Sequence, residues 1–220
     1  MCRVYTCACR KVWAYKLEKI GLLGGTFNPV HNAHLMMAEM AKEQFDLDKI
    51  VFMTSGNPPH KNASTIDPQH RSNMVKLAIE DNSDFVADDY EVKKETYSYT
   101  FETIEYMKQK YPQSELFFII GSDSLRDMPK WMNGEKLLSM CSFLVFDRKG
   151  ACEDIDDLVE NIKAKYGAKV YKGYAPYFDI SSSMIRKRLL NGETVKYLVP
   201  DTVIEYIHSN GLYGKEDGNE

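Results

Sequence analysis

Six strand-length apolar runs alternate along this chain with stretches of helical period, and no other feature narrows the fold as much. The runs are KIGLLGG (19–25), KIVFMTS (49–55), FVADDYEV (85–92), ELFFIIG (115–121), SFLVFDR (142–148) and AKVYKGY (168–174). Between the first two, AHLMMAEMAKEQF (33–45) sets Met37, Met40, Ala41 and Phe45 at helical spacing. Further helices are expected over 69–80, over 99–111 and between the last two runs. Such alternation predicts an α/β fold, a Rossmann-like doubly wound parallel sheet with helices on both faces. After Tyr174 the pattern shortens to SSMIRKRLL and PDTVIEYIHSNG, which predicts a small C-terminal helical part. In open sheets of this kind ligands lie outside the carboxyl ends of the strands, near the reversal of strand order. The loops GTFNPVH, SGNPPHK and GSDS follow the first, second and fourth runs, so all three are expected on one rim.

Composition closes off other classes. The longest apolar stretch, LFFII (116–120), falls far short of a membrane span, so no membrane partner is expected. A net charge of −4 gives no basic footprint for nucleic acid. The cysteines Cys2, Cys7, Cys9, Cys141 and Cys152 are odd in number and show no Cys-x-x-Cys pair. They read as free thiols in a reducing cytoplasm, with no zinc cage and no protein metal site. Residues 1–18 carry Arg3, Arg10, Lys11 and Lys16 but no apolar segment of the secretory kind. They read as a poorly ordered basic extension, such as an upstream start codon read in error would produce, with too few cations to argue nucleic-acid binding. The domain proper is expected over 19–213 and a frayed tail over 214–220, with homo-oligomerisation left open.

Two stretches carry chemistry. In GGTFNPVHNAHL (24–35), Gly24 and Gly25 let the backbone turn tightly and let a ligand approach the strand end. His31 and His34, three apart at a helix start, can face one side, where freed N–H groups already favour a phosphate. A His-x-x-His pair alone is more often a surface accident. In ISSSMIR (180–186), hydroxyls precede a helical run with Arg186 one turn on, a second anion site or else a plain capped helix.

Together the two stretches resemble the paired signatures of the nucleotidylyltransferase superfamily, an early (H/T)-x-G-H loop and a late I-S-S-T/S-x-x-R loop, with Ala33 in place of the family glycine. The intervening segments resemble bacterial nicotinate-nucleotide adenylyltransferases over most of 19–213: GNPPHK (56–61) with Arg71 and Met74, SYT (98–100), IIGSDSLRDMPKWMNGEKLL (119–138) and YLVPDTVIEYIHSNGLY (197–213). The resemblance implies joining of nicotinate mononucleotide to ATP, giving deamido-NAD and pyrophosphate in NAD biosynthesis. It implies catalytic roles for His31, His34 and Arg186, and ATP contacts from Gly24, Gly25, Thr26, Phe27, Gly121, Asp123, Ile180, Ser182 and Ser183. The mononucleotide would meet Lys61, Tyr99, Thr100 and Trp131, and Mg²⁺ would be held mainly through ATP phosphates. Each has a plainer alternative: Trp131 as core filler, Asp123 as a helix cap, Thr100 as an N-cap and Lys61 as a solvated loop cation. Two other functions stay open, a preference for nicotinamide mononucleotide and a non-catalytic nucleotide-binding regulator.

Overall fold

The computed structural model describes residues 17–57, 66–147, 154–176 and 179–214. Six parallel strands form one sheet: β1 (Glu18–Gly25), β2 (Lys49–Thr54), β3 (Phe85–Asp88), β4 (Ser114–Gly121), β5 (Ser142–Phe146) and β6 (Lys169–Gly173), in the order β3-β2-β1-β4-β5-β6. The order reverses between β1 and β4, the central pair. The crevice at their carboxyl ends is therefore the natural ligand site of the fold.

Among the described residues, eight α-helices join and cover the strands: α1 (Asn32–Phe45), α2 (Pro68–Ala78), α3 (Thr100–Lys110), α4 (Ser122–Asp127), α5 (Gly134–Leu138), α6 (Ile155–Tyr166), α7 (Ser182–Leu190) and α8 (Asp201–Ser209). Alternation along the strands splits the core into two layers. Leu23, Phe52 and Ile119 face the layer of α1, α2, α7 and α8, with Ala38, Met74, Ile185 and Val203. Leu22, Val51 and Phe118 face the layer of α3 to α6, with Ile104, Leu125, Leu137 and Val159. On α1 the fully buried residues are Ala38 and Ala41, while Met37, Met40 and Phe45 are only partly covered. Small side chains let that helix lie close on the sheet.

Three sequence expectations shift. The third strand stops at Asp88 rather than 92, because the Asp88 carboxylate accepts the Tyr90 N–H at 2.9 Å and turns the chain. The second helix begins at Pro68, behind an Asp67 cap that accepts the Gln69 N–H at 2.7 Å, and ends at Ala78. Short helices α4 and α5 occupy 122–138, where periodicity alone gave no element. Of the two ends, residues 1–16 and 215–220 lie outside the described residues. No helix of the described residues is long and apolar enough to cross a membrane.

Candidate active site

A cleft of about 560 Å³ opens where the sheet reverses, floored by the ends of β1 and β4 and walled by the N-termini of α1, α3, α4 and α7. Its lining includes Gly24, Gly25, Thr26, Phe27, His31, His34, Tyr99, Thr100, Gly121, Asp123, Trp131, Ile180 and Ser182. Loops from opposite ends of the sequence thus meet at one place. Ser183 and Arg186 stand outside that lining, and Lys61 lies outside the described residues.

The β1 loop is stiffer than its glycines suggest. Neither Gly24 nor Gly25 has a positive φ; the left-handed residue is Phe27, at φ 48°. Gly25 is needed for space, since a Cβ there would lie 2.8 Å from the Phe27 ring. Phe27 is buried, and its ring meets the His34 ring edge-on at 5.1 Å. His31 is 4 % exposed, caps α1, and stacks on His34 with ring centroids 3.6 Å apart. The His31 N–H donates to His34 Nδ1 at 3.2 Å. An acceptor Nδ1 puts the proton of a neutral His34 on Nε2, leaving that nitrogen a donor. The Ala33 methyl sits in the first turn of α1 and is not part of the cleft lining.

The late loop is bonded to the early one. Ser182 Oγ donates to Pro29 O at 2.9 Å, Arg186 Nη1 to Asn28 O at 2.8 Å, and Tyr213 Oη to Asn28 Oδ1 at 2.7 Å. Ser181, not Ser182, caps α7 and accepts the Met184 N–H at 3.2 Å. Arg186 also donates to Ser183 Oγ at 3.3 Å. Arg186 and Ser182 are therefore the bolts between two phosphate-type loops in this conformation, and Ser181 joins Ser182 on the cleft wall.

At the other end, Tyr99 rather than Thr100 is the N-cap of α3, and it makes no side-chain cap bond. Thr100 is the first helical residue, so its N–H has no intrahelical acceptor. Asp123 lies in the first turn of α4 behind a Gly121 cap, which disposes of the capping reading for it. Trp131 packs partly against the lower core layer and also lines the cleft, so its core and cleft readings hold together.

Three further groups shape the site: Arg71 and Ser98, which stood only within the resembling segments and had no role assigned, and Glu91, which lay inside the third predicted run. Arg71 is fully buried, and its guanidinium donates to Thr26 O (2.7 Å), Ser55 O (2.6 Å), Gly56 O (2.9 Å) and Ile66 O (3.2 Å). It ties the β1 loop to the β2 loop, and burial pushes its pKa below the usual guanidinium value. Glu91 is 8 % exposed and accepts from Thr103 Oγ1 at 2.6 Å. Burial raises its carboxyl above the usual range, opposed by the Thr103 hydroxyl, by Lys94, by the Ser98 hydroxyl and by the Gly56 backbone. Ser98, also buried, completes this end of the cleft.

A parallel sheet ordered in this way, with glycine, imidazole and helix N-termini around its switch-point cleft, defines a nucleotide-binding α/β protein. A family model described as Cytidylyltransferase-like matches residues 22–188. The chain is 42 % identical to a "Probable nicotinate-nucleotide adenylyltransferase" of Clostridium botulinum (strain Eklund 17B), over 91 % of this chain and 100 % of that one. It is also 42 % identical to the Clostridium acetobutylicum protein of the same name, over 90 % and 100 % of the two chains. A solved structure of Plasmodium falciparum nicotinic acid mononucleotide adenylyltransferase complexed with APC superposes with a TM-score of 0.73 at 25 % identity, covering 89 % of this chain and 97 % of that chain. The chain belongs to the cytidylyltransferase-like family and, within it, to the nicotinate-nucleotide adenylyltransferases.

Proposed function

We infer that this chain joins nicotinate mononucleotide to ATP, giving deamido-NAD and pyrophosphate in NAD biosynthesis. The observation that carries this reading is the clasp of ISSSMIR onto GTFNPVH, which stations the His31–His34 pair at one end of a cleft whose other end holds Trp131, Tyr99 and Thr100. A mononucleotide 5′-phosphate oxygen attacks the α-phosphorus of ATP in line. The bond from that phosphorus to the bridging oxygen breaks, and pyrophosphate leaves with the electron pair. The attacking group is already anionic, so the protein supplies position and charge stabilisation rather than a base.

In this reading the His34 Nε2–H donates to a phosphate oxygen as charge builds, and His31, stacked behind it, fixes the ring. Ser182 and Ser183 hold the triphosphate, and Arg186 meets the departing pyrophosphate. Gly24, Gly25, Thr26, Phe27, Gly121 and Ile180 shape the ATP side, where Asp123 accepts from ribose hydroxyls. Trp131 stacks on the pyridine ring, and the Tyr99 and Thr100 N–H groups meet its carboxylate. Lys61, outside the described residues, is a mononucleotide contact in this reading only by resemblance.

Among the described residues no three His, Cys, Asp or Glu side chains converge on a point. The dispersed donors of the cleft suit a divalent cation carried by the nucleotide's own phosphates and water. Mg²⁺ bound in this way neutralises phosphate charge.

The test is pyrophosphate release with ATP and Mg²⁺, supplying nicotinate or nicotinamide mononucleotide. Release with the nicotinate form, at the higher specificity constant, is expected. No release with either mononucleotide, alongside measurable ATP binding, would make the chain a nucleotide-binding regulator.

A further inference from the structure

The start of α1 carries both histidines of the cleft, and a first turn is the part of a helix least held by its own hydrogen bonds. The N-cap there is His31 rather than the Ser, Thr, Asp or Asn that usually fixes a helix start. Asn32, the first helical residue, ties this turn to the rest of the molecule. Its N–H donates to Leu198 O at 3.0 Å, and its side-chain Nδ2 donates to Tyr197 O at 2.7 Å. Two successive carbonyls from a segment 165 residues further along thus meet one residue.

That segment adopts a backbone its own sequence does not favour. Tyr197 has φ 65°, in the left-handed region that disfavours a bulky side chain. Its ring is 82 % exposed, so packing offsets little of the strain. Such a conformation persists only where the surroundings over-determine it. Here they are the Leu198 N–H on Val195 O at 3.0 Å, the bridge between Lys196 and Val199, and the two bonds from Asn32. The effect of the turn is to aim both carbonyls at the start of α1.

Asn32 is not part of the cleft lining, whereas His31 and His34 are. A helix turns about 100° per residue, so Asn32 points away from the face the two histidines share. The His34 ring is held to the same turn, because its Nδ1 accepts the His31 N–H at 3.2 Å. Any shift of the turn therefore carries the His34 Nε2–H with it. We propose that Asn32 is the positioning residue of His34, holding the start of α1 against the Tyr197–Leu198 turn so that Nε2–H meets the reacting phosphate. This rests on the adenylyl-transfer reading above. Asn32 touches no substrate and acts only through the imidazole.

The experiment measures kcat, KM for ATP and KM for nicotinate mononucleotide, with urea unfolding alongside. The proteins are the wild-type chain, Asn32→Ala, Tyr197→Asn, His34→Ala and the Asn32→Ala/His34→Ala double variant. Asn32→Ala should cut kcat about tenfold, with either KM changing less than about threefold. The variant keeps the N–H bond to Leu198 O, so it should still fold. In the His34→Ala background the same exchange should cost no further turnover, because the group it positions is gone. Tyr197→Asn keeps both carbonyls and suits a left-handed backbone, so its kcat should stay within about twofold of wild type. Unchanged kcat in Asn32→Ala would overturn the proposal. So would an Asn32→Ala effect that multiplies with that of His34→Ala, which is what a merely structural role predicts. A Tyr197→Asn variant as slow as Asn32→Ala would also overturn it, since the ring and not the carbonyls would then matter. A wild-type chain that releases no pyrophosphate with either mononucleotide would refute the adenylyl-transfer reading itself; the other failures, seen with an active wild type, refute the role of Asn32 alone.

Discussion

Replacing Arg71 by methionine should destabilise this protein more than almost any other single exchange near the cleft. The side chain is fully buried, and its guanidinium reaches four backbone carbonyls, those of Thr26, Ser55, Gly56 and Ile66. Methionine fills the stem's volume but offers no donor. Each carbonyl left dry and unpaired costs about 1–3 kcal/mol. The four costs do not add in full, because the loops can part and admit water. Some desolvation is also recovered when no charge is buried. A net loss of about 3–5 kcal/mol is therefore expected, as for other buried charges whose partners are broken. Against a typical total of about 5–15 kcal/mol, that is a large share of the stability. Urea unfolding followed by circular dichroism should show the midpoint falling with little change in slope. Arg71→Lys should recover only part of the loss, because one ammonium cannot span the fork that meets Thr26 O and Gly56 O together. A loss below about 1 kcal/mol for Arg71→Met would refute the view that these carbonyls depend on the guanidinium.

Three further expectations concern other parts of the molecule. Gly56→Ala would put a Cβ 2.8 Å from the Glu91 carbonyl carbon and closer still to its oxygen, so it should cost about 1–3 kcal/mol in urea unfolding and raise KM for the mononucleotide. His34→Ala should cut kcat about a hundredfold or more and lower the stability read from the urea midpoint modestly, by about 0.5–2 kcal/mol, because the His31 N–H loses its acceptor at the start of α1; near-normal turnover would remove it from the chemistry. Asp89 is buried enough to favour its neutral form, but hydrogen bonds from Lys76 and Ser72 outweigh this and hold its pKa below the usual 3.8. Its contribution is thus present above that value and lost as pH falls through the lower folded pKa. Asp89→Asn should be less stable at about pH 7 and lose less on going to about pH 2, and parallel pH profiles would contradict it.

The sheet was readable because period-2 and period-3.6 patterns are local properties of the chain. The order of its strands is a property of crossovers, and nothing between Ser55 and Phe85 says that β2 and β3 lie on the same side of β1. Local chemistry also decided where elements stopped. FVADDYEV reads as one strand until the Asp88 carboxylate captures the Tyr90 N–H. The two phosphate-type loops were visible as motifs, yet their direct bonding through Asn28 and Pro29 was not. Arg71 was noticed only within a resembling segment, since an arginine on a helix gives no sign of turning inward to backbone carbonyls. Glu91 reads as part of a strand and Ser98 only as the first residue of the resembling SYT segment, so neither gives a sign of its burial; the close approach of the Gly56 and Glu91 backbones joins loops far apart in sequence.

The clasp also dictates when the cleft can exist during synthesis. Asn28 leaves the ribosome early, but Arg186 and Tyr213, which bond to it, lie 158 and 185 residues further along. The first five strands can pair while that loop still lacks its later partners. The nascent chain must therefore carry a half-built pocket, with Asn28 wet and the wall of α7 missing, through most of its translation. Nucleotide cannot be gripped until α7 arrives, so a ligand offered to a chain stalled before it would find a sheet but no jaw.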